Sequence, residues 1–569
     1  MNKKVPINRT KRVSRDTLFR VGGLLGDRLL ITVLLASIGI FILYPMIMIL
    51  IRSFKESGGG YGLTTYREVW NQYRGSMWNS VFVAVITALL STLVSVGTAL
   101  VLSTSRGWVR MVAMGLLLIT LVAPPFVSSL AYIQLYGRRG WITYQLLGLS
   151  LDPYNAWGVI LMQTISFAPL NALFLNGLLT KIDSNALRSA QDLGARSGAV
   201  LKDIVLPLIR PGILVSLLLS FVRSLADFGT PIIIGGRFST IAAEIYLQFT
   251  GYSNLEKASA MNMFLVLPSI AAFFFYRRLM KRSDQLSQSG RGKQEQLEMS
   301  LLKAGPIGLS AILVSLVFFV MMILQYATIF LSGFLRNSRE GYVFTTRYLE
   351  ELIRIDSSTM VRSVQYALVV SLVGTLFAML FAYYMDRRKI IGHNLFDGLA
   401  TLPYMIPGVS FGIGYILAFN SPPIKLTGTA LIVMANMLFK QLPTTTKICS
   451  AALTQIPSSM ERAARDLGAG QLGVLRDVIL PSMKPAFLSS FVYNFSSSMT
   501  TAGAILFLIN PSRKLAVFKL FDSVYSGEYA MASLIAALII VIVLITEGLA
   551  YFLVGREGLF RVFTNRSSS

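Results

Sequence analysis

The chain has 569 residues, 54% of them hydrophobic and only 14% charged, with a mean hydropathy of +0.62; that balance belongs to a multi-span membrane protein and excludes an ordinary soluble domain. The formal net charge of +25 lies in short basic stretches between apolar runs, as the positive-inside rule requires, and does not point to nucleic acid. One Cys (Cys449) and one His (His393) exclude a disulfide, a zinc centre or a Cys/His catalytic pair within one chain.

Residues 1–28 form a basic tail (Lys3, Lys4, Arg9, Lys11, Arg12, Arg15, Arg20). An apolar run of spanning length follows with no small-residue cleavage pattern, so the segment reads as a cytoplasmic tail and signal anchor, not a cleavable signal peptide. A spanning helix needs about 20 mostly apolar residues. Such runs occur at approximately 29–51, 80–102, 111–135, 156–179, 212–234 and 258–276, and again at approximately 306–332, 363–385, 395–419, 428–450, 486–509 and 529–553. The expected architecture is all-α and integral to the membrane, with about twelve transmembrane helices. The stretch Ser283–Ser300 is rich in Gln and Ser and reads as a linker. The boundaries are then a tail at 1–28, a first half at 29–280, a linker at 281–304, a second half at 305–555 and a tail at 556–569. Six spans per half make the halves parallel repeats. Basic clusters precede the first span, follow the sixth (Arg277, Arg278, Lys281, Arg282, Arg291, Lys293) and follow the eighth (Arg387, Arg388, Lys389). All fall on one side, assigned to the cytoplasm with both termini, although Arg336, Arg339, Arg347 and Arg354 on the other side blur the contrast.

One polar segment occurs twice. Leu187–Ile213 aligns without a gap on Glu461–Phe487 at a constant offset of 274 residues (187 against 461). Asp192-Leu193-Gly194-Ala195 falls on Asp466-Leu467-Gly468-Ala469, and Leu206-Pro207 on Leu480-Pro481. Loops usually diverge faster than the helices they join, so a loop that is the most self-similar part of the chain is expected to present one element twice to a partner. Each copy predicts a short helix, a turn at Gly194 or Gly468, a second short amphipathic helix, and a break or bend at the prolines before the next span.

At these residues the chain resembles the permease subunits of type I ABC importers, whose loop carries Glu-Ala-Ala, three residues, then Gly, with Leu-Pro beyond. The resemblance implies the type I importer permease fold, with coupling segments 181–212 and 455–486 each seated in a cleft of an ATPase subunit. It implies two ABC ATPase partners that hold ATP and Mg, an extracytoplasmic solute-binding protein, and the lipid bilayer as surroundings; no cofactor is expected on this chain. The implied coupling residues are Arg188, Ala190, Asp192, Leu193, Gly194, Ala195, Leu206 and Pro207, with Glu461, Arg462, Ala464, Asp466, Leu467, Gly468, Ala469, Leu480 and Pro481. Arg188 and Arg462 stand where the motif has Glu, so charge pairing with the ATPases is expected through Asp192, Asp466 or Glu461. The fusion of two halves and the stretch Ser224–Gly236 resemble ferric-iron permeases more narrowly, which implies ferric iron as cargo. Thiamine, aminophosphonate and polyamine permeases are the alternatives.

No phosphate-binding loop is present: Gly58-Gly59-Gly60-Tyr61-Gly62 lacks the following Lys-Ser/Thr. No Ser nucleophile elbow and no carboxylate pair within a span suggest catalysis, and no metal site is expected. Energy must come from another subunit or an ion gradient. A 6+6 secondary transporter is therefore a rival, but it gives no reason for the twin loops; a membrane-embedded enzyme or scaffold is another. Arg223 and Asp227 lie four apart in the fifth span, where a helix would let them pair; such a pair is either structural or part of a path. Thr500 and Thr501 stand at the Ala226 and Asp227 positions of the second half. Pro125 and Pro407 mark helix breaks, which are tolerated at membrane depth where they line a cavity or pack in protein. Tyr61, Tyr66, Tyr73, Tyr342 and Tyr348 fall in external loops, where they meet a docking protein or the interface.

Overall fold

A computed structural model describes residues 26–56, 59–149, 152–252, 254–288, 299–338 and 341–554. The basic residues Lys3 to Arg20, Arg291, Lys293, Arg339 and the tail 556–569 lie outside the described residues. Apart from one short hairpin, Leu335–Ser338 (β1) with Gly341–Phe344 (β2), the described chain is built of helices and their connections.

The first half runs α1 (Gly26–Ser53), α2 (Thr64–Thr104), α3 (Gly107–Val122), α4 (Val127–Tyr136), α5 (Ala156–Leu179), α6 (Ser184–Asp192), α7 (Ser197–Ala226), α8 (Gly229–Ile234), α9 (Ile241–Thr250) and α10 (Leu255–Gln288). The second repeats the plan with α11 (Leu301–Ser332), α12 (Arg347–Arg387), α13 (His393–Met405), α14 (Gly408–Phe419), α15 (Ala430–Gln455), α16 (Ser458–Asp466), α17 (471–482), α18 (Lys484–Thr500), α19 (Ala516–Tyr525) and α20 (Tyr529–Val554).

Eight helices are individually long and apolar enough to cross a membrane, and ten if each bent pair counts as one span. That corrects the expectation of about twelve. The bent pairs are the third and ninth predicted runs: α3 and α4 meet at 109°, α13 and α14 at 114°. Ala123 and Ile406, each preceding a proline, are extended, because the proline ring bars its predecessor from helical geometry. The remaining difference is α15 and α18, at the predicted runs 428–450 and 486–509. Helix α15 includes Asn436, Lys440, Gln441 and Lys447, and α18 has 17 residues. Both pack on α12 and on each other, so protein rather than lipid meets their polar groups.

The prolines of the first coupling segment bend the chain less than expected. Pro207 and Pro211 lie inside continuous α7, which carries a π turn at Leu201–Val205 just before Pro207. The wider turn accommodates the missing N–H and the ring. In the second copy the π turn recurs at Leu475–Ile479, and the helix is then interrupted at Met483. The fifth predicted run shifts accordingly: its helix starts at Ser197 and stops at Ala226.

Each half is pinned by a buried polar ladder. In the first, Asn171 Nδ2 donates to Ser220 Oγ (2.6 Å), Ser91 Oγ donates to the same atom (2.9 Å), and Gln163 Oε1 accepts from Thr87 (3.2 Å) and Ser224 (2.6 Å). In the second, Asn494 Nδ2 donates to Thr375 Oγ1 (3.1 Å), its Oδ1 accepts from Thr445 (2.8 Å), and Gln441 bonds Ser498 (3.2 Å). Ser220, Ser224 and Asn171 stand 274 residues before Asn494, Ser498 and Thr445. The ladders tie α2, α5 and α7, and likewise α12, α15 and α18, into three-helix units.

The first helix of each half packs on the other half. Phe41 of α1 stacks on Phe439 (5.0 Å) and contacts Phe419 (5.6 Å). Gln325 of α11 donates to Ser128 (2.7 Å), and Ser332 bonds Gln134.

Asn494→Leu removes both partners of Thr375 and Thr445 and is expected to cost roughly 1–3 kcal/mol. Thermal unfolding of the purified protein in detergent checks this; an unchanged midpoint contradicts the ladder's role.

Candidate functional site

The repeated segments form matching turns. Helix α6 starts at Asp183, whose side chain accepts from Asn185 N–H (2.9 Å), and ends at Gly194, where φ is +88°. Ala195 N–H bonds Ala190 C=O (3.0 Å) and Gly194 N–H bonds Gln191 C=O (2.9 Å). Helix α16 ends identically: Gly468 has φ +90°, Ala469 bonds Ala464 (2.9 Å) and Gly468 bonds Arg465 (2.9 Å). This is the Schellman closure of a helix C-terminus, which needs a left-handed residue. No atom stands within 4 Å of where a Cβ would sit at either glycine, so the demand is conformational and the space around the turn is open.

The turn sorts its side chains. Ala190, Ala195, Ala464 and Ala469 pack inward on the core. Leu193 and Leu467 point outward, 89% and 90% exposed. Arg188, Asp192, Arg462 and Asp466 are exposed beside them, Leu206 and Leu480 are half-buried, and Pro207 and Pro481 are exposed. Two polar loops thus carry one bare leucine each at the tip, where isolated burial in the chain itself is impossible.

Glu461 corrects one expectation. It is buried and paired with Arg387 (2.5 Å) and Arg465 (3.6 Å), while Arg387 also donates to Ile456 C=O (2.9 Å). Its charge is used inside the chain, which leaves Asp192 and Asp466 as the carboxylates facing out. Its counterpart Leu187 is also buried, in an apolar cluster with Val200, Leu201, Met299, Leu301 and Ala304. The start of α11 therefore lies on the first coupling segment. The start of α1 lies on the second: Gly26 faces Leu472, and Asp27 takes both the Arg388 guanidinium (2.7 Å) and the Tyr384 hydroxyl (2.7 Å).

The predicted Arg223–Asp227 pair does not form. Helix α7 ends at Ala226, and Asp227 is extended. Its carboxylate caps α8, accepting from Gly229 N–H (3.1 Å) and Thr230 N–H (3.2 Å), and takes Gln163 Nε2 (2.9 Å). Arg223 instead lies over the Phe167 ring at 4.7 Å. In the second half Thr501 takes the same extended cap position, and Thr500 and Thr501 donate back to Ser496 and Ser497 carbonyls. Pro125 and Pro407 sit in the two helix breaks. At the second break Lys440 donates to Pro403 C=O (2.5 Å) and Ile406 C=O (2.6 Å); a lysine inside a predicted span was the available signal for it. Of the external tyrosines, Tyr61 is exposed, Tyr73 is buried against Gln248 (2.7 Å), and Tyr66 bonds Ser53 (2.8 Å); the Tyr342 side chain lies outside the described residues.

An aromatic cluster that no local pattern announces joins the halves at the ends of α7 and α18 remote from the coupling segments. Phe249 meets Phe507 (4.1 Å), Phe126 meets Phe521 (5.0 Å), Phe228 stacks on Tyr246 (5.6 Å), and Tyr246 meets Phe521 edge-on (6.0 Å). The rings close that end.

The family described as "binding-protein-dependent transport system inner membrane component" matches the chain twice, over residues 94–285 and 374–557. The chain is 30% identical, over 91% of its length, to the ferric transport system permease protein FbpB of Actinobacillus pleuropneumoniae, covering 77% of that protein. It is 29% identical over 86% of its length to the putative ferric transport system permease protein FbpB 1 of Haemophilus influenzae, covering 79% of it. A third of the chain is 34% identical to the molybdenum transport system permease protein ModB of Mycobacterium tuberculosis, covering 72% of it.

Glu461→Ala leaves Arg387 without its carboxylate and is expected to loosen the second coupling segment by roughly 1–3 kcal/mol, between an exposed and a fully buried pair. Limited trypsin digestion should accelerate at Arg462 and Arg465 and not at Arg188 or Arg196. Equal rates in variant and wild type contradict the anchoring.

Proposed function

We propose that this chain, which belongs to the family of binding-protein-dependent transport system inner membrane components and is an ABC importer permease with both halves fused, brings ferric iron into the cytoplasm by ATP-driven alternating access. It is a multi-pass membrane transport subunit and not an enzyme. Two separate ATPase subunits would supply the hydrolysis and hold ATP and Mg. A solute-binding protein would deliver cargo on the opposite face. The names of the two long relatives support iron, and a hard trivalent cation asks only for oxygen donors. We place the coupling face, with Arg387, Arg388 and Lys389, in the cytoplasm together with both termini, and keep the halves at 29–280 and 305–555.

One observation carries the reading: two superimposable Schellman turns, each with a bare leucine at its tip. An exposed apolar side chain at a fixed place on a rigid turn suits burial in a partner's cleft. Arg188 and Asp192, or Arg462 and Asp466, would ring that contact with charge, and Ala190, Ala195, Ala464 and Ala469 would hold its shape. ATPase closure would draw the two tips together. Continuous α7 would carry the movement of the first tip from Ser197 to Phe228, and the aromatic cluster would part. Cargo would then enter from the binding protein and leave toward the cytoplasm when the rings close again.

The double variant Leu193→Ser/Leu467→Ser should reach the membrane at wild-type level with an unchanged unfolding midpoint, because neither leucine is packed. It should lose co-purification of the ATPase subunits and ATP-dependent uptake by at least tenfold. Intact co-purification contradicts the handles. In a separate assay, cells carrying the complete system should accumulate radioactive ferric iron; uptake of another solute with no dependence on iron removes the cargo assignment and leaves the permease.

A further inference from the structure

We infer that Arg223, Tyr404 and Tyr493 form an oxyanion-recognising site between the two halves, so that the cargo crosses with a carboxylate or phosphate escort and not as a bare ferric ion. The inference rests on the ferric reading above for the metal, and on the following geometry for the anion.

Arg223 stands on α7 of the first half, enclosed by protein and yet open to solvent. Its guanidinium face rests on Phe167. Among the described residues no hydrogen bond or ion pair engages its N–H groups. Asp227 is near, but its two oxygens serve Gly229, Thr230 and Gln163. Tyr404 and Tyr493, from α13 and α18 of the second half, lie within electrostatic range of the same guanidinium. Tyr404 is 43% exposed although it too is enclosed by protein, and neither phenol has a hydrogen-bond partner among the described residues. Three unengaged donor groups from both halves therefore face one opening. Lys440, two residues' reach from Tyr404 through the carbonyls of Pro403 and Ile406, adds a second cation beside it.

Ionisable groups at membrane depth are costly and are kept where they meet a cargo or a partner. An unpaired guanidinium would repel a naked trivalent cation strongly in so poor a dielectric. The same planar fork of donors, flanked by two phenolic O–H groups, matches the oxygens of a carboxylate or a phosphate. Ferric iron bearing such ligands is neutral or negative and passes without that repulsion. The site is shared between halves, so rocking them apart would disassemble it and release the anion.

The test uses the full-length purified chain in detergent and the complete transport system in cells. Equilibrium dialysis with radiolabelled citrate and, separately, inorganic phosphate should show saturable binding of at least one; the stronger of the two identifies the escort. Arg223→Gln should weaken it at least tenfold with an unchanged unfolding midpoint, Arg223→Lys less, and Tyr404→Phe and Tyr493→Phe a few-fold each. No saturable binding of either anion, or equal binding by Arg223→Gln, overturns the inference. In cells, double-labelled ferric citrate or ferric phosphate should deliver metal and anion together. Entry of iron without the anion overturns this inference and leaves the ferric permease standing. Entry of the anion without iron keeps the site and removes the ferric reading.

Discussion

Each half of the protein can act as a body because its three long helices are hydrogen-bonded to one another in a medium that offers their polar side chains no other partner. Asn171 with Ser220 and Ser91, and Asn494 with Thr375 and Thr445, bind helices across the middle of each unit. In lipid an unmet amide or hydroxyl is penalised more than in water, so the ladder resists shear that apolar packing alone would permit. The helix breaks obey the same constraint: the carbonyls freed at Pro403 and Ile406 are met by Lys440 and not by lipid. Rigidity built this way lets a displacement at the Gly194 turn reach Phe228 through one uninterrupted helix.

The two halves share a plan and differ where they meet other parts. Leu187 anchors the first coupling helix by apolar packing, and Glu461 anchors the second through Arg387. The second connection to its span is interrupted at Met483, whereas the first runs straight through Pro207. Arg223 has no charged counterpart, since Ser497 stands 274 residues on. A fused chain can hold such differences permanently, because each half always meets the same neighbour.

Much of this was legible in the residues. Runs of apolar residues located the spanning helices, prolines at 125 and 407 marked the bends, and the twin Asp-Leu-Gly-Ala segments located the turns, because a left-handed closure leaves a glycine behind. What escaped depends on distant partners. Nothing near Glu461 says that Arg387 lies beside it, and nothing near Phe228 says that Phe521 closes on the same spot. Asp227 was misplaced because helical spacing was carried past the real end of α7; Gly229 and Pro231, just beyond, are the residues that signal a new helix start. α15 and α18 passed for ordinary spans because hydropathy counts side chains and not the proteins around them.

The central claim is that the two turns approach each other when the partners close. Spin labels at Arg196→Cys and Gly470→Cys, exposed residues that flank the tips at matching positions, report that distance while Cys449 stays buried. In the assembled complex, ATP trapped before hydrolysis should shorten the distance relative to the nucleotide-free state and leave distances within each half unchanged. An unchanged distance in a complex that still transports would show that the turns are not handles.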